Sequence, residues 1–150
     1  MTIAPSFELK DQNDRSFVLT EALKEGPVVI FFYPKDQTRV CSLEVRGFHL
    51  LNDRFIELGA QVVGVSSDST ASHKKFAESC GPDIRLLSDK GAKVRKAFGV
   101  RSYLVLIPGR ETFVIAPSGK IITHIRNFSD HKVHIDGALE SLGQYNKENV

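Results

Sequence analysis

Sulfur-containing residues and long apolar runs are scarce in this sequence. Its 150 residues include two cysteines, one methionine and no tryptophan. Two cysteines cannot build the disulfide framework on which small secreted domains depend. The longest purely apolar stretch, residues 28–32, is too short to cross a bilayer, and no basic segment followed by an apolar run marks a secretion signal. We therefore expect a cytoplasmic protein with reduced thiols.

The charges of the sequence are nearly balanced. Lysine and arginine number 20 against 18 acidic residues, which gives a net charge of +2 without long runs of one sign. This balance gives no reason to expect nucleic acid or a membrane as a partner. With 41% hydrophobic residues, the chain can bury a core of its own, and we expect one domain over residues 1–150. No GxGxxG, Walker A or HExxH motif is present, and we expect no bound cofactor and no metal.

The apolar pattern predicts a mixed β-sheet with helices on both sides, an α/β fold. The β-branched and aromatic run "VVIFFY" (28–33) has the character of a central strand buried on both faces, and "QVVGVS" (61–66) predicts a second one. The turn Pro117-Ser118-Gly119-Lys120 joins two further strands into a hairpin. A small extra hairpin is predicted near the N-terminus.

Helical spacing of apolar residues follows each of the two central strands. Phe48, Leu51, Phe55 and Leu58 recur at intervals of three and four residues, which predicts one helix that Gly59 ends. Further helices are predicted over 70–79, from residue 88 or 89 to 98, and from a point after residue 129.

Cys41 lies in "YPKDQTRVCS", where the first central strand gives way to the following helix. Open α/β sheets place their ligands at this end of the strands, and the N-terminus of a helix favours a thiolate. Thr38 can cap the helix or donate a hydrogen bond to a substrate, and Pro34 can wall off the thiol. By position alone, however, Cys41 is either a reactive thiol or an inert buried one.

A longer pattern around this cysteine carries a resemblance to a known family. The spacing Pro34-x-x-x-Thr38-x-x-Cys41, followed by Glu44, resembles the active-site signature of the peroxiredoxins. "FFYPKDQTRVCSLE" is most similar to their bacterioferritin-comigratory, or PrxQ-type, branch. Similarity continues in order through "APSFELKDQND", "VVGVSSDSTASHKKFAE", "LLSDKGAKVRKAFGV" and "GRETFVIAPSGKII".

The resemblance implies a thioredoxin-like fold and a thiol-dependent peroxidase that reduces hydrogen peroxide and organic hydroperoxides. Cys41 would be the peroxidatic cysteine, with Thr38 and Pro34 as its loop partners. Arg110 would be the catalytic arginine, and Glu44 would hold it in place. The implied reductant is a thioredoxin or a glutaredoxin-type protein, and the implied quaternary state is a monomer.

The sequence departs from the family pattern beside the cysteine. Arg39 and Val40 stand where Pro-Gly is common, and Ser42 stands where threonine is common. We expect Arg39 to be a solvated side chain. Because Val40 replaces glycine, the backbone there has to avoid positive φ.

Cys80 is the candidate resolving cysteine that the resemblance implies. Many PrxQ-type proteins carry the resolving cysteine five residues after the peroxidatic one, but this chain has Arg46 there. Other members place it in the helix after the second central strand, which matches Cys80. The alternative is a one-cysteine peroxidase that uses an external thiol, with Cys80 inert.

Two rival functions stay open at this point. A thioredoxin-type disulfide oxidoreductase is disfavoured because the chain has no C-x-x-C pair. Only the departure from the family pattern at Arg39-Val40 supports a binding module or holdase without peroxidase activity.

The histidines suggest no catalytic or metal site in the sequence. His131-x-x-His134 has helical spacing but no accompanying carboxylate or cysteine in a ligand pattern, and we interpret it as a polar helix face. We interpret His49 as structural.

Overall fold

A seven-stranded mixed sheet forms the centre of the computed structural model, which describes residues 2–103 and 107–149. The strands of this sheet are β1 (Glu8–Asp11), β2 (Ser16–Val18), β3 (Val28–Phe32), β4 (Gln61–Ser66), β5 (Arg85–Ser88), β8 (Glu111–Ile115) and β9 (Ile121–Arg126). Their order across the sheet is β2-β1-β5-β4-β3-β8-β9. A separate two-stranded ladder joins β6 (Ser102–Tyr103) to β7 (Ile107–Pro108).

Strand β3 is the most buried part of the sheet. All five of its residues are inaccessible to solvent, as the apolar run predicts for a strand covered on both faces. It runs parallel to β4 and antiparallel to β8, so that Phe32 lies opposite Val65 on one side and Glu111 on the other. The end of β3 therefore meets the start of β8, which brings residue 110 close to the loop that follows β3.

The helices cover both faces of the sheet and confirm the predicted α/β class. They are α1 (Leu19–Leu23), α2 (Arg39–Leu50), α3 (Asn52–Glu57), α4 (Thr70–Cys80), α5 (Lys93–Ala97) and α6 (His131–Glu148). One apolar layer includes Val45, Phe76 and Ile135, from α2, α4 and α6. The other includes Leu23 and Val94, from α1 and α5. Both cysteines belong to the first layer.

The predicted hairpins are present, but two of the predicted helices need correction and one further helix is present. The helix expected to run continuously through Leu51 is two helices, because Leu51 has φ −104° and ψ 10° and separates α2 from α3. The helix expected from residue 88 or 89 to 98 is a 3₁₀ turn (Lys90–Ala92) followed by α5, with Ala92 left-handed at φ 58°. Helix α1 is an addition to the predicted elements. No helix in the described ranges is long and apolar enough to span a membrane.

Candidate active site

Cys41 is the third residue of α2, directly beyond the end of β3. The chain leaves β3 at Phe32, passes through a loop and enters α2 after Thr38, which occupies the N-cap position. The first amides of a helix have no partner within the helix, and those of α2 begin at Arg39. The Cys41 side chain is fully buried against the first apolar layer. The predicted position of the thiol, in the first turn of this helix, is therefore correct.

Arg110 joins Cys41 to two other groups. Its Nη2 donates to Cys41 Sγ at 3.2 Å, its Nη1 donates to Glu44 Oε1 at 2.7 Å, and its Nε donates to the carbonyl of Phe128 at 2.8 Å. The guanidinium also lies 5.8 Å from the centre of the Phe128 ring. Arg110 is only 3% exposed and Glu44 is fully buried, so water screens this charge cluster weakly.

The backbone before β8 places Arg110 beside Cys41. Gly109 packs so closely against the chain at residue 101 that a Cβ there would overlap the carbonyl oxygen of Arg101. Next along the chain, the buried carboxylate of Glu111 accepts from the Arg101 amide at 2.7 Å and contacts His124. The side chain of Arg110 is thereby directed across the end of β3 towards α2.

Burial and charge act in opposite directions within the cluster. Burial opposes the charged form of Arg110, but the nearby Glu44 and Cys41 outweigh it and raise its pKa above the usual value. For Glu44, burial outweighs the attraction of Arg110 and raises the pKa to about 7. Arg110 therefore stays cationic at neutral pH, while the carboxylate that holds it is close to its own titration.

His134 lies beside this cluster, so its interpretation as part of a polar helix face was wrong. It is fully buried, and its Nε2 donates to the carbonyl of Asn127 at 2.7 Å. Burial lowers its pKa, so the ring is neutral and its Nδ1 accepts from Thr112 Oγ1 at 2.7 Å. Nδ1 then has no proton for Glu44 Oε2, 3.9 Å away, and this oxygen has no hydrogen-bond partner among the described residues. Glu44 thus depends on Arg110 for its charge compensation.

The predicted loop partners Thr38 and Pro34 lie in the segment between β3 and α2. Thr38 is exposed, and its hydroxyl donates to the carbonyl of Lys35 at 2.9 Å instead of capping α2. Pro34 is partly buried at the start of the loop. Arg39 is exposed, as expected, and Val40 is helical. The left-handed residue of this loop is Gln37, with φ 66°.

Cys80 is the last residue of α4, and its side chain is 8% exposed. Its neighbour Gly81 packs directly on α2, where an added Cβ would lie 3.0 Å from Val45 Cγ1 and from His49 Cβ. Val45 is one helical turn after Cys41 and therefore on the same face of α2. Both thiols are free. The end of α4 thus packs against α2 at Val45, one helical turn after Cys41.

A second buried polar cluster lies behind the loop, and no sequence motif points to it. Asp36, 3% exposed, contacts His73 of α4, which is fully buried. The two residues are 37 positions apart. The segment "TASHKKFAES" indicates a polar helix, and a histidine near the start of such a helix carries no signal of burial.

Together, Cys41, Arg110 and Glu44 form a site suited to nucleophilic chemistry. A cation in contact with a buried sulfur stabilises the thiolate, which is the nucleophilic form of cysteine. The same guanidinium has donors that can stabilise negative charge developing on an oxygen of a bound substrate.

Comparisons with known proteins agree with this chemistry. Residues 2–124 match the AhpC/TSA family. A chloroplastic peroxiredoxin Q from Sedum lineare is 42% identical over 92% of this chain and 74% of its own length. Three other plant peroxiredoxin Q proteins are matched over 65% or 66% of their own length.

Solved structures of similar proteins share the fold. Peroxidoxin BcpB from Mycobacterium tuberculosis is 37% identical, with a TM-score of 0.88 and 95% of each chain covered. A bacterioferritin comigratory protein from Xanthomonas campestris is 28% identical, with a TM-score of 0.84 over 93% of this chain and 91% of that one. The fold is therefore thioredoxin-like, as the resemblance implied. The chain belongs to the AhpC/TSA family and, within it, to the peroxiredoxins of the PrxQ or bacterioferritin-comigratory type, which are thiol-dependent peroxidases.

Proposed function

We propose that Cys41 is the peroxidatic cysteine. The observation that carries this proposal is the 3.2 Å contact between Cys41 Sγ and the buried Arg110 guanidinium. The Cys41 thiolate attacks one oxygen of the hydroperoxide, and the O–O bond breaks as the new S–O bond forms. The other oxygen leaves as hydroxide or alkoxide and takes up a proton, so that Cys41 becomes a sulfenic acid and the peroxide becomes water or an alcohol.

Arg110 acts on both partners in this step. Its charge favours the thiolate before attack, and its donors stabilise the negative charge that develops on the leaving oxygen. Glu44 positions the guanidinium through the 2.7 Å hydrogen bond. Pro34 and Thr38 belong to the loop that borders the N-terminus of α2, where the Thr38 hydroxyl is available to a peroxide if it leaves the Lys35 carbonyl.

Cys80 resolves the sulfenic acid in this proposal. Its thiolate attacks Cys41 Sγ, the S–O bond breaks, and the hydroxide that leaves is protonated to water as the disulfide forms. The packing of Gly81 on Val45 supports this role, because it holds the end of α4 next to the helix that carries Cys41. Because the two cysteines are buried on separate helices, we propose that the first turn of α2, the end of α4, or both unwind as the disulfide forms.

The substrate and reductant follow from the family at a coarse level. The bacterioferritin comigratory protein from Xanthomonas campestris has alkyl peroxide reduction activity. For this chain we propose hydrogen peroxide and small organic hydroperoxides as substrates, with a thioredoxin or glutaredoxin-type protein as reductant. We further propose a cytoplasmic monomer of one domain. A stable dimer in sedimentation velocity would contradict the monomer.

Replacement of Cys80 by serine tests the resolving role. We expect Cys80→Ser to leave the reaction of Cys41 with peroxide unchanged, because the hydrogen bond to the Cys41 thiol comes from Arg110 and does not involve Cys80. The variant should accumulate sulfenic acid on Cys41 and lose turnover with thioredoxin. Mass spectrometry after one equivalent of peroxide should find an intramolecular Cys41–Cys80 disulfide in the wild type. A wild-type protein that keeps sulfenic acid on Cys41 and a free Cys80 thiol would instead be a one-cysteine enzyme.

The raised pKa of Glu44 predicts a pH dependence. Its carboxyl group, with a pKa of about 7, is protonated below that pH and holds Arg110 by charge only above it. We therefore expect the second-order rate constant for peroxide to fall as the pH decreases through about 7. Stopped-flow measurements between about pH 5.5 and 8.5 check this.

The matched control for this pH profile is Glu44→Gln. The amide keeps an oxygen acceptor for Arg110 but cannot titrate. The variant should therefore react more slowly than the wild type at high pH, and its rate constant should not fall as the pH decreases through about 7. If the rate constant falls in the same way with pH in the wild type and the variant, the titrating group is not Glu44.

A further inference from the structure

A buried hydrogen-bond cluster links the loop before Cys41 to the helix that ends in Cys80. Asp36 Oδ1 accepts from the Tyr33 hydroxyl at 2.6 Å. Asp36 Oδ2 accepts from the Ser72 hydroxyl at 2.8 Å and contacts His73 Nδ1 at 2.7 Å. The backbone amide of Asp36 donates to Asp68 Oδ2 at 2.8 Å. We call the contacts of Asp36 with Tyr33, Ser72 and His73 the Asp36–His73 anchor.

Both ring nitrogens of His73 have hydrogen-bond partners. Its Nε2 lies 2.9 Å from the carbonyl of Leu87, which can only accept, so this nitrogen carries a proton. Its Nδ1 lies 2.7 Å from Asp36 Oδ2, so a hydrogen bond joins the ring to the side chain of Asp36. Both side chains are at most 1% exposed, and leaving a buried polar group without its hydrogen-bond partner is costly.

The cluster is better satisfied by protein groups than by a metal ion. Asp36, Asp68 and His73 bring potential ligand atoms within 4.8 Å of one another. However, Asp68 Oδ2 already accepts from the Ser66 hydroxyl and the Asp36 amide, and the Asp36 oxygens accept from Tyr33 and Ser72. A cation would have to displace these donors, so the cluster fits a structural connection.

The position of the anchor in the chain gives it a consequence for the two thiols. Asp36 is five residues before Cys41, and His73 is seven residues before Cys80. If the turns that carry the cysteines unwind, the anchor still joins the two segments. The mobile chain between the thiols then consists of the five residues from Asp36 to Cys41 and the seven from His73 to Cys80, which is 12 residues in all. Without the anchor, the next described link is the hydrogen bond from the Asp36 amide to Asp68, which is 12 residues before Cys80, and the path lengthens to 17 residues.

We propose that the Asp36–His73 anchor is a positioning pair for resolution, which keeps the Cys41 and Cys80 segments together while the surrounding turns unwind. The inference rests on the proposed resolving role of Cys80. Residue 37 has the left-handed φ of 66° directly after Asp36, which is a conformation that needs such a fixed neighbour. The hydrogen bonds that join Cys41, Arg110 and Glu44 involve no anchor residue, so we expect its effect on the disulfide step.

The expected size of the effect follows from the path length. The effective concentration of two tethered groups falls roughly as the −3/2 power of the length of the chain that joins them. Loss of the anchor should therefore slow disulfide formation about 1.7-fold, relative to oxidation by peroxide. Since sulfenic acid that is not resolved can react again, the peroxide concentration that converts half of Cys41 to sulfinic acid should also fall about 1.7-fold.

The test compares the full-length wild type with Asp36→Asn/His73→Leu. This double variant removes both members of the pair, so no unpaired charge is left buried. A second variant, Tyr33→Phe/Ser72→Ala, removes two donors to Asp36 with little change of shape and decides the question if the first does not fold. Lys75→Ala, at an exposed position of the same helix, is the matched control. Stopped-flow with hydrogen peroxide measures oxidation and disulfide formation separately, and mass spectrometry measures sulfinic acid on Cys41.

A fall in the ratio of the disulfide rate to the oxidation rate, with wild-type behaviour in Lys75→Ala, supports the anchor. An unchanged ratio overturns it, and so does an equal loss in both steps, which is the result expected of a general loss of structure. The wild-type arm separates the two proposals. Absence of a Cys41–Cys80 disulfide there refutes the resolving role and the anchor with it, whereas a normal disulfide and an unchanged ratio in the variants refute the anchor alone.

Discussion

Replacement of Cys41 by serine is expected to abolish peroxide consumption. A serine hydroxyl in this position is neutral at physiological pH and has no sulfur to oxidise, so the contact with Arg110 no longer yields a nucleophile. The second-order rate constant should fall at least about a thousandfold, as is usual when the nucleophile of an enzyme is removed. Stopped-flow with the reduced protein, together with consumption of peroxide under turnover, measures the loss.

The replacement keeps the fold, which makes the result interpretable. Serine is close in size to cysteine, and its hydroxyl oxygen can still accept from Arg110 Nη2, so the buried guanidinium keeps an acceptor. Cys80→Ser is the matched control for the stopped-flow oxidation, because it removes a thiol of similar burial and leaves Arg110 in place. Turnover with thioredoxin is not part of this control, since Cys80→Ser is expected to lose it. Full peroxide consumption by Cys41→Ser would end the assignment of this residue.

The same measurements separate the rival functions that the sequence left open. A wild-type protein that reacts with peroxide only as fast as a free thiol would favour a holdase or binding module. Reduction of insulin disulfides without peroxide would favour a disulfide oxidoreductase. The membership of the chain among the peroxiredoxins agrees with neither rival.

The central strands could be predicted from the sequence because a strand buried on both faces has a continuous apolar run. Val28–Phe32 is such a strand. The break at Leu51 could not be predicted, since Phe48 and Phe55 keep helical spacing across it and face the same core. Helix α1 has only five residues, which is too short for a periodic pattern.

The site was predictable where one segment carries its motif and was not where residues from distant segments meet. Cys41 and Glu44 are one helical turn apart, and Arg110 was assigned through the family resemblance. His134 was misinterpreted because its neighbours in space, Thr112 and Glu44, lie on other elements. The contact between Asp36 and His73 was not predicted for the same reason, because local sequence patterns carry no information about contacts between residues 37 positions apart.

Replacement of Arg110 by methionine is expected to have the second largest effect. Three hydrogen bonds are lost at once, to Cys41 Sγ, Glu44 Oε1 and the Phe128 carbonyl. The rate constant for peroxide should fall about 10²- to 10³-fold, the range seen when a donor to a developing oxyanion is removed. Stopped-flow oxidation measures this loss.

The variant also leaves the fully buried Glu44 without its only charged partner within hydrogen-bonding distance among the described residues, which destabilises the fold by about 3–5 kcal/mol. A low rate for Arg110→Met alone therefore has two possible sources, loss of catalysis and loss of structure. The double variant Arg110→Met/Glu44→Gln separates them, because it removes both buried charges together. It should regain most of the stability in denaturant unfolding but none of the rate. Recovery of the peroxide rate together with the stability would show that Arg110 serves only to compensate Glu44, and would remove its role in the reaction.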